Sequence, residues 1–164
     1  MSLEQIPREP LALEPIQDRD HTVGVFNSLI ETTLDSADGY QKAAELARNP
    51  RFKSLFQERA QARLGLTKTL KDEVRALGGE TPDDGTILGQ AHRVFVALRD
   101  KMSGQSDKAL VEEVERGEKF IRDRFEKAAQ DDALPAQAHQ LIARASDAIA
   151  ADHIEMIALK DEFH

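Results

Sequence analysis

The stretch Arg48-Asn49-Pro50-Arg51-Phe52 decides the fold, because it joins two long helical segments with almost no chain between them. The residue before a proline avoids the α-helical region, so the first helix ends near Asn49. Proline itself suits the first turn of the helix that follows. A connection this short forces the second helix to fold back antiparallel to the first. The stretch therefore predicts a helical hairpin.

The first helix of this hairpin extends from about Asp20, its N-cap, to about Arg48. Its apolar and small residues recur at spacings of three and four, which places them on one face of a helix. The members of this stripe are Phe26, Ile30, Thr33, Ala37, Tyr40, Ala44 and Ala47. Residues 1–19 carry three prolines without helical periodicity, and we expect them to form an extended arm.

The second helix is predicted from about Pro50 to Leu77, where Gly78-Gly79 supplies the left-handed residue that ends many helices. Its stripe consists of Phe52, Leu55, Arg59, Ala62, Leu66, Leu70, Glu73 and Leu77. A loop and a shorter amphipathic helix, from about Thr86 to Met102, follow. At ~1.5 Å per residue this helix covers ~25 Å, so we expect it to return along the bundle as a crossover.

Because of this crossover, the third helix, from about Ser106 to Gln130, should begin at the same end as the second and run parallel to it. Asp131-Asp132 and Pro135 then mark a turn into the fourth helix, which extends to about Phe163. The two stripes are Val111, Val114, Glu118, Ile121, Phe125 and Ala128, and Ala138, Ile142, Ala145, Ile149, Asp152, Met156, Leu159 and Phe163. The sequence thus predicts an all-α four-helix bundle over residues 20–164, made of two antiparallel hairpins with a helical crossover between helices 2 and 3.

Composition restricts the function and the compartment. The chain has 22 Lys and Arg against 30 Asp and Glu, and its basic residues are interleaved with acids. Binding to nucleic acid needs clustered basic residues, so we expect no nucleic-acid partner. The absence of cysteine excludes disulfides and fits a cytoplasmic protein. No apolar run approaches the ~20 residues that span a bilayer, so we expect no membrane partner.

Four ionisable residues interrupt the predicted inner stripes: Arg59, Glu73, Glu118 and Asp152. An uncompensated buried charge is strongly destabilising, so such residues must be paired, protonated, metal-bound or hydrated. Folding each hairpin about its turn brings all but Glu73 to one level of the bundle, together with Tyr40. We interpret this level as a buried polar layer in which Arg59 bridges Glu118 and Asp152. Tyr40 would donate a hydrogen bond to it.

A metal site at the same level is the alternative to this ion-pair layer. Carboxylates and a histidine that converge from several helices are typical of di-iron bundles. The ligands would be Glu58, Glu115, Glu118, Asp152 and His153. Against this site, Gln61 stands where the histidine of a Glu-x-x-His motif would follow Glu58, and a cationic Arg59 would repel metal ions. We therefore expect no cofactor, with iron or another divalent metal as the alternative.

Six short runs of the sequence occur in a characteristic order: Phe26-Asn27-Ser28-Leu29-Ile30-Glu31-Thr32-Thr33, Asp38-Gly39-Tyr40-Gln41-Lys42-Ala43-Ala44-Glu45, Glu58-Arg59-Ala60, Leu77-Gly78-Gly79, Ala91-His92-Arg93 and Glu115-Arg116-Gly117-Glu118. Over about residues 20–160 the chain therefore resembles bacterial ferritin-like proteins of unknown function, which are described as four-helix-bundle or stress-related proteins. The resemblance implies a ferritin-like fold in a family without an established activity. Ferritins and rubrerythrins bind iron through Glu-x-x-His motifs, and the positions that carry over are Glu58, Glu118 and His153.

The function that we expect is that of a non-enzymatic, stress-associated helical-bundle protein, which acts by self-association or by binding a protein partner. Four apolar residues point away from the inner stripes: Leu46, Leu64, Phe120 and Ile157. Those left uncovered would suit the interface of a homodimer. A metal-binding or ferroxidase-like protein is the alternative, and a helical ligand carrier, with a cavity beside the alanine-rich stretch of the first helix, is a third.

Overall fold

The computed structural model describes residues 16–82 and 106–163, which form four α-helices. They are α1 (Ile16–Leu46), α2 (Pro50–Ala76), α3 (Asp107–Ala129) and α4 (Ala136–Asp161). The described residues contain no strand, and none of their helices is both long and apolar enough to cross a membrane. The predicted all-α four-helix bundle is confirmed.

The hairpin of α1 and α2 forms at the turn that the sequence predicts. The side-chain oxygen of Asn49 caps α2 by accepting a hydrogen bond from the backbone N–H of Arg51 at 2.9 Å. Pro50 occupies the first position of α2, where the missing N–H has no helical partner to lose. The two helices then pack against each other.

The C-terminus of α2 is closed by two glycines. Gly78 has φ of 79°, and its N–H bonds to the carbonyl of Arg75, while the N–H of Gly79 bonds to the carbonyl of Val74. This pair of bonds is a Schellman motif, which satisfies carbonyl groups that the helix leaves open. A Cβ atom at Gly79 would lie 2.8 Å from a methyl of Val23, so the close approach of this turn to α1 also requires glycine.

The second hairpin, formed by α3 and α4, is attached to the first at the α1–α2 turn. The Asp107 carboxylate accepts hydrogen bonds from the backbone N–H groups of Arg48 and Asn49, both at 2.9 Å. Arg51 at the start of α2 donates to Glu162, next to the end of α4, at 3.1 Å. Since α2 and α3 begin at the same end, they run parallel, as expected. The predicted crossover helix from Thr86 to Met102 lies outside the described residues.

Two apolar clusters make up the core of the described bundle, and each draws on all four helices. The first contains Phe26, Leu29, Ile30, Leu70, Val74, Ile121, Phe125, Leu134, Ala138, Ile142 and Ile149. The second contains Tyr40, Ala43, Ala44, Ala47, Phe52, Phe56, Ala60, Leu110, Val111, Met156 and Leu159. Charged side chains lie between the two clusters, at the level where the sequence predicts a polar layer.

Two details of the helices differ from the prediction. α1 begins at Ile16 rather than near Asp20, so it includes the last residues of the predicted arm; residues 1–15 lie outside the described part of the chain. The buried face of α2 is rotated from the predicted stripe, because Ala62 is exposed while Arg63 and Thr67 are buried. The spacing of apolar residues does not predict which face of a helix is buried when that face contains polar side chains.

Candidate functional site

A bidentate ion pair between Arg63 of α2 and Glu118 of α3 lies at the centre of the bundle. Nη1 donates to Oε1 at 3.2 Å, and Nη2 donates to Oε2 at 2.9 Å. Arg63 is 2% exposed and Glu118 is 1% exposed, so the pair has almost no contact with water. Two parallel bonds between a guanidinium and a carboxylate combine strength with a fixed geometry, so this pair sets α2 and α3 in register.

Arg59 and Asp152 extend the pair into a layer of four charged groups. Nη2 of Arg63 also donates to Oδ2 of Asp152 at 3.0 Å. Arg59, one turn earlier on α2, places Nη1 3.6 Å from Oδ1 of Asp152 and 3.9 Å from Oε2 of Glu118. Each carboxylate therefore lies between two guanidiniums, and the two acids screen the arginines from each other.

The layer reaches solvent on the side of α4. Nη2 of Arg59 donates to Oε1 of Glu155 at 2.7 Å, and the Glu155 side chain is 56% exposed. Asp152 is also only partly buried. Solvent exposure within the layer therefore increases from the buried pair of Arg63 and Glu118 to the exposed side chain of Glu155.

Tyr40 of α1 closes the layer from the opposite side. Its ring centroid lies 5.5 Å from Cζ of Arg63 and 5.8 Å from Cζ of Arg59, within the range of a cation–π contact. Its hydroxyl oxygen accepts a hydrogen bond from Arg59 at 3.5 Å and also hydrogen-bonds with Glu118. Burial, together with the negative charge of Glu118, raises the pKa of Tyr40 well above its usual value. The hydroxyl therefore stays protonated and donates to the carboxylate.

The arginines offset only part of the free energy needed to bury the two acids. Burial raises the pKa of Glu118, against the opposing influence of Arg63. Burial also raises the pKa of Asp152, although Arg59 and Arg63 both lower it. Buried ion pairs in proteins often fix an arrangement without adding net stability, and these shifts indicate such a layer.

A second buried network adjoins the layer and contains His153. The Nε2 atom of His153 lies 2.7 Å from Oε2 of Glu115, and its Nδ1 atom lies 3.2 Å from Nη1 of Arg122. A guanidinium can only donate, so Nδ1 is the acceptor and the ring proton is on Nε2, directed at Glu115. These contacts hold the imidazole of His153 at both ring nitrogens.

Glu115 is the acceptor that this second network shares. Its Oε1 atom accepts a hydrogen bond from Nζ of Lys160 at 3.0 Å, while Oε2 accepts from His153. Burial by itself would raise the pKa of Glu115, but the hydrogen bonds from His153 and Lys160 outweigh it and lower the pKa. Glu115 is therefore ionised, with both oxygens in use.

The candidate metal ligands do not meet at one point. Glu58 is exposed on the outer side of α2. Glu118 and Asp152 share a guanidinium, and Glu115 is paired with His153. Within residues 16–82 and 106–163, no group of three or more His, Asp or Glu side chains is placed to hold a metal ion. A metal would have to displace a guanidinium before it reached two of these carboxylates.

Arg63, at the centre of the layer, is not among the site residues predicted from the sequence. The prediction that Arg59 bridges Glu118 and Asp152 needs correction, because the hydrogen bonds to both acids come from Arg63. The available signal was the spacing of four residues between the two arginines, which puts both on one face of α2. The predicted stripe passed through Ala62 instead.

Comparison with known proteins gives a family but no activity. No curated protein matches the chain. The model of a protein family, described as a domain of unknown function (DUF2383), matches residues 21–131, which is more than half of the chain. The match covers most of α1 and all of α2 and α3, and therefore Tyr40, both arginines and Glu118, whereas Asp152 and His153 lie beyond it. The chain belongs to the DUF2383 family, a domain of unknown function built here as a four-helix bundle around a buried layer of charge.

Proposed function

We propose that this protein is a non-enzymatic, stress-associated helical-bundle protein of ferritin-like fold, and that it acts by self-association as a homodimer. The observation that carries the proposal is the exposure of two isoleucines on the outer side of α4. Ile154 is 60% exposed and Ile157 is 38% exposed. They are three residues apart, so they share one face of the helix. Full burial of such a side chain contributes about 1.5–3 kcal/mol, and a second copy of the chain would supply the covering surface.

Comparing the other outward apolar residues limits the choice of residues that could form the dimer interface. Leu46 is partly buried against the second apolar cluster, so it offers less surface to a partner than an exposed side chain does. Leu64 and Phe120 are exposed on other helices, α2 and α3. Ile154 was not among the outward residues picked out from the sequence, yet it is the most exposed large apolar side chain of the described residues. The centre of the proposed interface is therefore Ile154 and Ile157.

The interior supports a structural role for the charge layer. Each buried carboxylate of the layer is bound by at least one guanidinium, and His153 is bound at both ring nitrogens. General acid–base or nucleophilic catalysis needs a group that can reach a substrate, and these groups are committed to one another. This arrangement favours a protein that works through its surface.

The proposal is tested by measuring the mass in solution. We expect sedimentation velocity to give twice the mass of the chain for the wild-type protein. The double variant Ile154→Lys/Ile157→Lys should sediment as a monomer with unchanged helical content, because it places two charges in the interface. Leu64→Lys, an exposed apolar residue on another helix, is the matched control and should remain a dimer. A monomeric wild-type protein at the highest attainable concentration would rule out the homodimer.

The association with stress is supported by the resemblance of the chain to stress-related helical-bundle proteins. We expect the amount of the protein in its source cells to increase under oxidative, acid or osmotic stress. Quantitative immunoblotting against the native chain measures this amount. A level that stays constant under all three conditions would contradict this part of the proposal.

Metal binding, with a ferroxidase-like activity, is the alternative. The contact between Glu115 and His153, one turn along α3 from Glu118, favours it because oxygen and nitrogen donors lie close together. Protein purified without chelators should then contain iron or another divalent metal, and it should oxidise Fe(II) in air faster than buffer does. His153→Gln should abolish both properties, whereas Glu58→Gln, at an exposed position, should preserve them. Sub-stoichiometric metal and no oxidation beyond the buffer rate would exclude this alternative.

A further inference from the structure

A groove of about 580 Å³ lies between the first part of α1 and the last part of α3, well away from the charge layer. Its lining combines apolar or small residues with charged ones. The apolar or small residues are Gly24, Val25, Ser28, Leu29 and Ala128, and the charged or ionisable residues are His21, Arg124, Lys127 and Asp131. The groove thus offers an apolar surface beside a group of cationic side chains, in a chain whose net charge is −8.

Asp131, the acidic residue that lines this groove, already has a partner for each of its carboxylate oxygens. Oδ1 of Asp131 accepts a hydrogen bond from the backbone N–H of Ala133 at 2.9 Å, which forms the turn after α3. Oδ2 lies 2.7 Å from Nε2 of His21. Both contacts lower the pKa of Asp131, the backbone bond most strongly. Asp131 therefore fixes the turn and holds His21 at the end of the groove, and it does not neutralise the other cations.

Arg124 and Lys127 have no carboxylate partner among the described residues. Other cations of α3 do: Lys119 lies 2.9 Å from Asp123, and Arg122 lies 3.1 Å from Glu126. Cζ of Arg124 lies 4.7 Å from the ring centroid of Phe120, so a cation–π contact holds the guanidinium in place. Two positive charges thus line the groove, and neither has a carboxylate counterion within residues 16–82 and 106–163.

The floor of the groove is open at Gly24. Apart from its own stretch of helix, a Cβ atom added there would meet no atom of the described residues within 4 Å. A ligand can therefore approach the backbone of α1 at this point. Small-molecule sites typically have volumes of roughly 300–1,000 Å³ and combine apolar surface with a few polar groups. The volume of this groove lies within that range.

We propose that the groove binds a small organic anion. Its apolar body would lie on Val25, Leu29 and Ala128, and its oxyanion head, a phosphate or carboxylate, would lie between Arg124 and Lys127. A guanidinium and an ammonium are the side chains best suited to such a head. The apolar floor adds affinity only for a ligand that also carries an aromatic or aliphatic group.

Phenyl phosphate serves as the probe, with inorganic phosphate and phenol as its two halves. Titration of the full-length chain, followed by amide chemical shifts, should give saturable changes for phenyl phosphate that centre on Gly24 and Ala128. We expect inorganic phosphate and phenol each to bind at least about tenfold more weakly, because each lacks one of the two contacts. Equal affinity for phenyl phosphate and inorganic phosphate would overturn the proposed apolar contact.

Substitutions locate the site. Gly24→Leu fills the floor and should weaken phenyl phosphate binding by about tenfold or more. Gly65→Leu, at an exposed glycine of α2 with the same open space around its Cβ position, is the matched control and should leave the dissociation constant unchanged. Both changes raise helix propensity, so a difference between them reports the groove itself.

The charged half of the site is tested in the same way. Arg124→Gln/Lys127→Gln should weaken phenyl phosphate binding by more than tenfold, since each charge-assisted hydrogen bond is lost. Arg116→Gln/Lys119→Gln removes the same charge from the same helix outside the groove, and binding should persist. Equal losses in both double variants, or shifts scattered over the surface in the wild type, would show attraction without a site and would overturn the proposal.

Discussion

Arg63 makes three hydrogen bonds to acids in the interior, and its Cζ atom lies 5.5 Å from the ring centroid of Tyr40. The Arg63→Met substitution removes the cation closest to Glu118 and leaves that buried carboxylate without its bidentate partner. We expect the free energy of unfolding to fall by about 3–5 kcal/mol in urea melts, as when one partner of a buried pair is removed. A fall of less than about 1 kcal/mol would mean that water replaces the guanidinium.

The double variant Arg63→Met/Glu118→Met is the control for this loss. It replaces the buried pair by apolar side chains, and such replacements are often neutral or stabilising. We expect it to recover most of the stability that Arg63→Met loses, although Asp152 then depends on Arg59 alone. If the double variant were less stable than Arg63→Met, then Glu118 would contribute stability in some other way.

Glu118 also determines how stability depends on pH. Its pKa is raised by burial, so the folded state holds the proton more tightly than the unfolded chain does. The free energy of unfolding contributed by this group therefore increases as pH falls through its folded pKa towards the ordinary value of a glutamate. Urea melts over a pH series should show this gain in the wild type and its absence in Glu118→Gln.

Glu115 should have the opposite effect on pH dependence. Its pKa is lowered, by hydrogen bonds from His153 and Lys160 that outweigh burial. Its contribution to stability is complete above the pKa of the unfolded chain and is lost as pH falls through the folded pKa. Glu115→Gln should lose stability near neutral pH and show a smaller decline in acid. An unchanged acid decline in the same urea series would show that other groups cause it.

At the scale of helices, apolar periodicity predicted α1 well and α2 poorly. Every member of the α1 stripe is buried, since the side chains that face inward there are apolar, small or, at Tyr40, mostly aromatic surface. In α2 the inward face includes Arg59, Arg63 and Thr67, and the predicted stripe contains Arg59 but misses the other two. The hydrophobic pattern predicts which apolar residues are buried. It does not predict which polar residues are buried because they form ion pairs or hydrogen bonds in the core.

The end of α2 gives a prediction at the same scale. Gly78 adopts a left-handed conformation, which costs an L-residue about 1–2 kcal/mol. Gly78→Ala should therefore lower the melting temperature. Gly65→Ala, in the middle of α2 with open space around it, should raise the free energy of unfolding by about 0.5–1 kcal/mol. Thermal melts followed by circular dichroism compare the two, and equal effects would contradict the structural difference between these glycines.

At the scale of the whole molecule, the level of the charge layer could be predicted, but not all of its members. Folding each hairpin at its turn sets heights along the bundle, and Tyr40, Arg59, Glu118 and Asp152 do lie together. Height does not fix direction around the helix axis. Glu58 is next to Arg59 in height, yet it faces solvent, because successive residues of a helix point in directions about 100° apart.

Asp107 joins the two hairpins, so it is the residue through which their docking can be tested. Asp107→Ala removes acceptors from the N–H groups of Arg48 and Asn49. We expect the free energy of unfolding to fall by about 1–3 kcal/mol. Asp123→Ala removes an exposed acid of the same helix, and its solvent-screened surface pair with Lys119 contributes little to stability. Equal urea midpoints for the two variants would show that the contact at Asp107 is dispensable.

The division of the core into two apolar clusters has a consequence for the motions of the native state. Each cluster is complete at its own end of the bundle, with side chains from all four helices, and the ion pairs lie between them. Either end can therefore open by local unfolding while the other stays packed, which is how separate cooperative units arise within one domain. Hydrogen exchange under native conditions should then give two groups of amides, one around Phe26 and one around Phe56, with different free energies of opening.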